Sequence, residues 1–188
     1  MRHPQFSTVG LVAYYKLWAG LTSTANVFDY SLNGFTGVPA GTDIAPAYPG
    51  FTFNNTDDEI VIGTGPTSVL SIIVWIKLDD ISGLENIISL NNLDSMRASG
   101  DTLVAVTFTG GTTILYVDAV ESAVTLDTGW RMATITTTIG KDADILVIGR
   151  KSTTWYGGKM GEIMLYDRVL SPAEIKSIYE LTRWRYRV

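Results

Sequence analysis

Short apolar stretches, several of them apolar on both faces, recur along the chain between Gly-, Pro- and Asx-rich turn signals, which predicts strands rather than helices. Residues 9–18 form the opening strand, with Leu11, Ala13, Tyr15 and Leu17 on one face and Val12, Tyr14, Lys16 and Trp18 on the other. Residues 69–78 carry the longest alternation. There Leu70, Ile72, Val74, Ile76 and Leu78 share one face, and Val69, Ile73 and Trp75 lie on the other with Ser71 and Lys77, which places this strand mid-sheet. Residues 51–53 and 59–62 flank a polar turn at 54–58, and further strands are predicted over 86–90, 103–108, 114–120, 131–138 and 145–148. Turn signals such as Gly110-Gly111 and Asp127-Thr128-Gly129 separate them. Residues 20–50, rich in Gly and Pro, read as loop with short strands. The threonines within 134–138 suit a half-exposed pleat and predict a solvated sheet face.

Near the C-terminus the pattern changes. Glu162-Ile163-Met164-Leu165-Tyr166 mixes apolar and polar positions without a clean period of two, as expected of a strand covered on most sides. Ser171, Pro172 and Glu174 then make a capping box: a side-chain acceptor for the third helical N–H, a first residue that needs no donor, and a carboxylate that reaches back. Ile175, Ile178, Tyr179 and Thr182 recur at spacings of three and four, predicting a short helix over 171–182 whose apolar stripe lies against the strand-rich body. Many short strands and one late helix predict an all-β fold, a two-sheet antiparallel jelly-roll sandwich with a short C-terminal helix.

At 188 residues the chain fits one domain, 1–188, with a loose segment at 1–8 and an Arg/aromatic tail at 183–188. The absence of cysteine excludes disulfides and thiolate chemistry. The N-terminal stretch has no apolar core followed by a small-residue cleavage site, so it shows no signal peptide. The longest apolar run, 72–76, is too short to cross a bilayer, and no membrane insertion is expected. A net charge of −5 argues against nucleic acid as a partner. Arg183-Trp184-Arg185-Tyr186-Arg187 is a local exception, read as a tail whose aromatics dock on the sandwich beneath the guanidiniums, or as a contact to a neighbouring subunit.

Several short motifs in order resemble the laminin-G-like, concanavalin A-like lectin/glucanase family. They are Gly10-Leu11-Val12-Ala13-Tyr14-Tyr15, Asp29-Tyr30-Ser31-Leu32-Asn33-Gly34, 53–59 (FNNTDDE), Val74-Trp75-Ile76, Gly129-Trp130, Ile148-Gly149-Arg150 and the terminal Gly158-Lys159-Met160-Gly161-Glu162-Ile163 with Tyr166, Leu170-Ser171 and Glu174-Ile175. Two departures stand out. The family's Asp is Gly161 here, and its Tyr-x-Asp-Gly turn is matched by Tyr116-Val117-Asp118-Ala119, which precedes Gly129-Trp130 instead of following it. The resemblance implies a jelly roll, and an extracellular or virion-associated setting is expected for it.

Three chemistries find part of their requirements in these residues. Asp29, Ser31, Asn33 and Gly34 repeat the first half of a calcium loop, oxygens at alternate positions closed by glycine, but the position of the bidentate Glu is Ala40. In the resembled family this Asp works with an acid near the Gly-Lys-Ile-Asp-Glu segment, which makes Asp29, Asn33 and Glu162 the candidate ligands of a structural calcium. An Asx turn is the competing account of Asp29 and Asn33. For glycan recognition, Trp155 and Tyr156 are candidates to stack on a sugar ring, with Asn91, Asn92 and Asp94 as hydrogen-bonding groups. An aromatic before this glycine usually packs in the core of the family, so both outcomes stand for Trp155 and Tyr156, while Trp75 and Trp130 read as core. Hydrolase chemistry needs paired carboxylates; Asp118 and Glu121 are three apart, and Tyr116 stands where a further acid is needed. The only histidine, His3, has no nucleophile to serve. The function expected is a non-catalytic lectin- or adhesion-like module for a glycan or protein ligand. The competing class is a structural virion or fibre component that self-assembles as a homo-oligomer, and a glycoside hydrolase is the third.

Overall fold

The computed structural model describes residues 6–18 and 26–187, so His3 and most of the segment 1–8 lie outside the described residues. In chain order the strands are β1 (Leu11–Lys16), β2 (Val38–Ala40), β3 (Ala45–Ala47), β4 (Gly50–Asn54), β5 (Glu59–Gly63), β6 (Val69–Leu78), β7 (Leu84–Ser89) and β8 (Ser95–Ser99). They continue as β9 (Thr102–Val106), β10 (Thr113–Val117), β11 (Val120–Glu121), β12 (Trp130–Lys141), β13 (Leu146–Ile148), β14 (Arg150–Lys151), β15 (Thr154–Trp155) and β16 (Gly157–Tyr166). Helix α1 (Pro172–Thr182) and a short 3-10 turn (Arg183–Arg185) follow.

These strands build two antiparallel sheets. An eight-stranded sheet runs β11-β10-β12-β6-β16-β4-β3, with β1 also on β16; a six-stranded sheet runs β2-β5-β13-β7-β8-β9. The hairpin β14-β15 stands apart and packs over β7. Strand β6 lies between β12 and β16, mid-sheet as its two-sided apolar pattern requires. Between the sheets lies the main core, including Phe51, Phe53, Ile72, Val74, Ile76, Ile135, Ile148 and Tyr156.

The other face of the large sheet is also covered, by the C-terminal helix and tail. Tyr14, Ile73, Trp75, Met132, Met164 and Tyr166 meet Leu170, Ile175, Ile178 and Tyr186 there. The helix begins as its sequence dictates: Ser171 Oγ accepts from the Glu174 amide and the Glu174 carboxylate accepts from the Ser171 amide. Trp75 Nε1 donates to Thr182 Oγ1 at 2.9 Å, which ties the end of the helix to the central strand.

The structure corrects two expectations. Thr134, Thr136 and Thr137 are buried rather than forming a solvated face: Thr134 and Thr136 pair with Tyr116 and Ile114 of β10 on the face that the C-terminal helix covers, and Thr137 shares the inter-sheet face of Ala133 and Ile135. Strand β8, Ser-Met-Arg-Ala-Ser, carries little β propensity and was not anticipated; it is held as a strand by pairing with both β7 and β9. The broken period around Glu162 has a cause of its own. The register of β16 against β6 shifts between Met160 and Ile163, a bulge that leaves both of these in the inter-sheet core while Gly161 and Glu162 meet the tail.

Candidate functional site

Asp29 organises the loop that follows β1. Its Oδ1 accepts from the amides of Tyr14 (2.9 Å) and Ser31 (2.8 Å), and its Oδ2 from Ser31 Oγ (2.8 Å) and the Phe35 amide (3.2 Å). Four donors fill the acceptor positions of the carboxylate, and the motif acts as an Asx turn. Asn33 Nδ2 donates to Val12 O at 3.0 Å and to Ser31 Oγ at 3.1 Å. Glu162, fully buried, is engaged by other groups altogether: Tyr14 Oη at 2.5 Å and Arg185 Nη1 at 2.6 Å, while its amide donates to Tyr186 Oη. Burial pushes its carboxyl above the ordinary range, against the pull of Tyr14 and Arg185. Glu162 is thus the anchor of the C-terminal tail. Among the described residues, no three His, Cys, Asp or Glu side chains gather as they would round a metal ion.

The glycan candidates separate. Tyr156 is fully buried, edge-on to Phe53 with ring centroids 5.7 Å apart, and its hydroxyl donates to main-chain carbonyls of Lys77 and Lys159; it is core. Trp155 is half-buried on the β14-β15 hairpin, with the Arg150 guanidinium 5.0 Å from its ring. Asn91, Asn92 and Asp94 form the loop between β7 and β8, where Asn91 Oδ1 caps the amides of Leu93 and Asp94 and Asn91 Nδ2 donates to Asp94 Oδ2. Lys151, from the hairpin, reaches this loop by donating to Leu93 O at 2.5 Å and Ser95 Oγ at 3.2 Å. Loop and hairpin are therefore joined on the outer face of the six-stranded sheet.

A cleft of about 310 Å³ opens at one end of the sandwich, lined by Val12, Asn33, Phe35, Pro66, Thr67 and Asp167. The Asp29 turn fixes its rim by holding the Phe35 amide and presenting Asn33. Val12, Phe35 and Pro66 supply an apolar floor. Around it, Asn33 Oδ1, the Thr67 hydroxyl and the Asp167 carboxylate make no hydrogen bond with another described residue, and all three residues are exposed. Of these, Asn33 is the one candidate site residue that the sequence offers, and for a different role. The others lie far apart along the chain and carry no local motif.

A family model described as the Concanavalin A-like lectin/glucanases superfamily matches residues 89–176, and the two-sheet architecture extends through the flanking strands. Residues 89–176 are thus similar to the concanavalin A-like lectin/glucanases, and the two-sheet sandwich has a concanavalin A-like fold. No curated protein sequence matches it. Among solved structures it is similar to domain 4 of AbnA, a GH43 extracellular arabinanase from Geobacillus stearothermophilus, in complex with arabinotriose, with a TM-score of 0.63 and 13% identity over 90% of this chain and 98% of that one. Trypanosoma rangeli sialidase matches with a TM-score of 0.59 and 15% identity over 93% of this chain and 33% of that one. The botulinum neurotoxin serotype D binding domain matches with a TM-score of 0.55 and 13% identity over 93% and 52% of the two chains. The chain thus spans about a third of the sialidase and about half of the toxin domain. At these identities the likeness concerns the fold.

In this concanavalin A-like frame, Asp118 occupies the β10-β11 turn with φ +51°, accepting from the Met132 amide and from Arg131 Nη1 at 2.7 Å. Glu121 lies across from Tyr116 on the short edge strand, so the two acids do not form a facing pair. A strongly perturbed carboxyl sits elsewhere. Glu85 is 3% exposed and accepts from the Gly157 amide at 2.6 Å and Asn55 Nδ2 at 3.3 Å. Burial drives its pKa from an ordinary 4.5 to about 7, with Asp80 and Asp79 adding to the rise and the Gly157 N–H opposing it. Between those values the folded protein holds a proton that the unfolded chain has released, so the stability contributed by this group falls as pH rises from about 4.5 to about 7. Glu85→Gln is expected to flatten that part of a Tm-against-pH curve; an unchanged slope would show that another group titrates there.

Proposed function

We propose that this protein is a non-catalytic carbohydrate-binding module that takes a short neutral oligosaccharide in the cleft beside Asn33, Phe35 and Asp167. The observation that carries the proposal is the cleft's chemistry. A small apolar floor is ringed by an amide oxygen, a hydroxyl and a carboxylate without a partner among the described residues, the donor and acceptor set that a sugar ring with its hydroxyls requires. Support comes from the likeness to an arabinanase domain crystallised with arabinotriose, and that enzyme's extracellular setting agrees with an extracellular one here. A structural calcium at this loop would meet Asn33 Oδ1 and Asp167 rather than the saturated Asp29; a rise in Tm on adding calcium to chelated protein is its signature.

Calorimetric titration with neutral oligosaccharides, arabinotriose among them, tests the proposal. Asn33→Ala and Asp167→Ala are each expected to weaken binding by about tenfold or more, the effect of one lost hydrogen bond to a polar or charged partner. Asn92→Ala, on the distant β7-β8 loop, is expected to leave it unchanged. Binding that survives both cleft substitutions, or a well-folded protein that binds no neutral oligosaccharide, would overturn the proposal.

A further inference from the structure

The outer face of the six-stranded sheet holds a second, differently charged surface. Arg97 on β8 is the cross-strand partner of Asn86 on β7 and lies one position of the same face away from Ser95. Its guanidinium Nε is buried and has no hydrogen-bond partner among the described residues. Asn86 is 3% exposed, and its Oδ1 is likewise without a partner. Lys151 is brought beside them, and among the described residues its ammonium hydrogen-bonds neutral acceptors alone, Leu93 O and Ser95 Oγ. Burial, then the neighbouring Arg97, pulls the Lys151 pKa down, with Asp94 opposing. Asp94 is already committed to Asn91 Nδ2 at 3.0 Å and to Lys141 Nζ at 3.2 Å, and Arg150 is paired with Glu59 at 2.7 Å. In a chain of net charge −5, two adjacent cations are thus left without a carboxylate partner among the described residues.

We infer that Arg97 and Lys151 form an oxyanion subsite, distinct from the cleft, that takes a carboxylate or sulfate ester carried on an acidic oligosaccharide. An unused guanidinium offers a planar fork of donors matched to such a group, and Lys151 adds a point charge beside it. A sugar is favoured as the carrier on the strength of the carbohydrate-binding function proposed above; Trp155, on the same hairpin, pairs with Arg150 and so stands on the opposite face of the ribbon from Lys151. The subsite does not depend on the neutral cleft.

The test titrates the full chain with a galacturonic acid trisaccharide, a sulfated disaccharide, inorganic sulfate and arabinotriose. At least one acidic oligosaccharide is expected to bind more tightly than inorganic sulfate, with affinity that falls as salt is raised. Arg97→Gln and, independently, Lys151→Gln are each expected to weaken it by about tenfold or more, with the Arg97 variant leaving Tm unchanged and the Lys151 variant lowering it slightly through the lost bonds to Leu93 O and Ser95 Oγ. Asp167→Ala is expected to weaken arabinotriose binding by about tenfold or more while sparing the acidic ligand, so failure of one site is read separately from failure of the other. Acidic binding indifferent to both Gln variants, no acidic binding at all, or inorganic sulfate bound as tightly as the sugars would overturn the inference.

Discussion

Tyr186→Ala is expected to cost about 3–5 kcal/mol, the usual range for removing a buried large aromatic, and to lower Tm by roughly 10 °C in a chain of this size. Tyr186 is 3% exposed, stacked on Trp75 with centroids 4.2 Å apart and against Trp130 at 4.7 Å, and its hydroxyl accepts from the Glu162 amide at 2.8 Å. Tyr186→Phe keeps the stacks and loses one hydrogen bond, so about 1 kcal/mol is expected. The same contact explains the glycine that replaces the family's acid. A Cβ on Gly161 would lie 2.3 Å from Tyr186 Oη, so Gly161→Asp is expected to unseat the tail and destabilise the fold to a similar degree. Thermal and urea unfolding of the three variants check the order Ala and Asp far below Phe; equal Tm values for all three would show that the tail contributes nothing.

Arg185→Met is expected to cost about 3 kcal/mol or more at a pH where Glu162 is ionised, because it removes the guanidinium that pairs this buried carboxylate. Glu162 has no exposed surface, and Arg185 Nη1 at 2.6 Å is its only cationic partner among the described residues. The sign of the pH dependence follows from the raised pKa of Glu162. At low pH the carboxyl is neutral and the loss of the guanidinium matters little; as pH rises through the folded pKa, the unpaired charge must be buried and the penalty grows. The double variant Arg185→Met/Glu162→Gln removes that charge and is expected to recover most of the loss. A single variant as stable as wild type at pH 8, or a penalty that shrinks as pH rises, would contradict the pairing.

Much of this architecture was legible because local signals agreed with the global fold. The two-sided alternation of 69–78 marks a central strand, and the structure has β6 at Val69–Leu78 between two neighbours. The Ser171 and Glu174 capping box and the apolar stripe of Ile175 and Ile178 describe a docked helix, which is what covers the large sheet. The tail's aromatics were legible in part: Tyr186 docks, whereas Trp184 stays 64% exposed. Where the sequence misled, the deciding contact was long-range. The burial of Thr134 depends on Tyr116 one strand away, and the role of Glu162 depends on a bulge and on Arg185. The cleft is the extreme case, since Val12, Asn33, Pro66 and Asp167 meet only once the sandwich has closed. Asp29 carried a correct local signal, an Asx turn, whose use as a scaffold for the cleft could be seen only in three dimensions.

The most direct measurement is a titration of isotope-labelled protein with arabinotriose, followed by backbone and side-chain amide NMR. The account predicts saturable shifts confined to Val12, the Asn33–Phe35 turn, Thr67 and Asp167, with the Asn33 side-chain amide among the most affected. Saturable shifts on another surface, or none at millimolar ligand with a spectrum of well-folded protein, would contradict it.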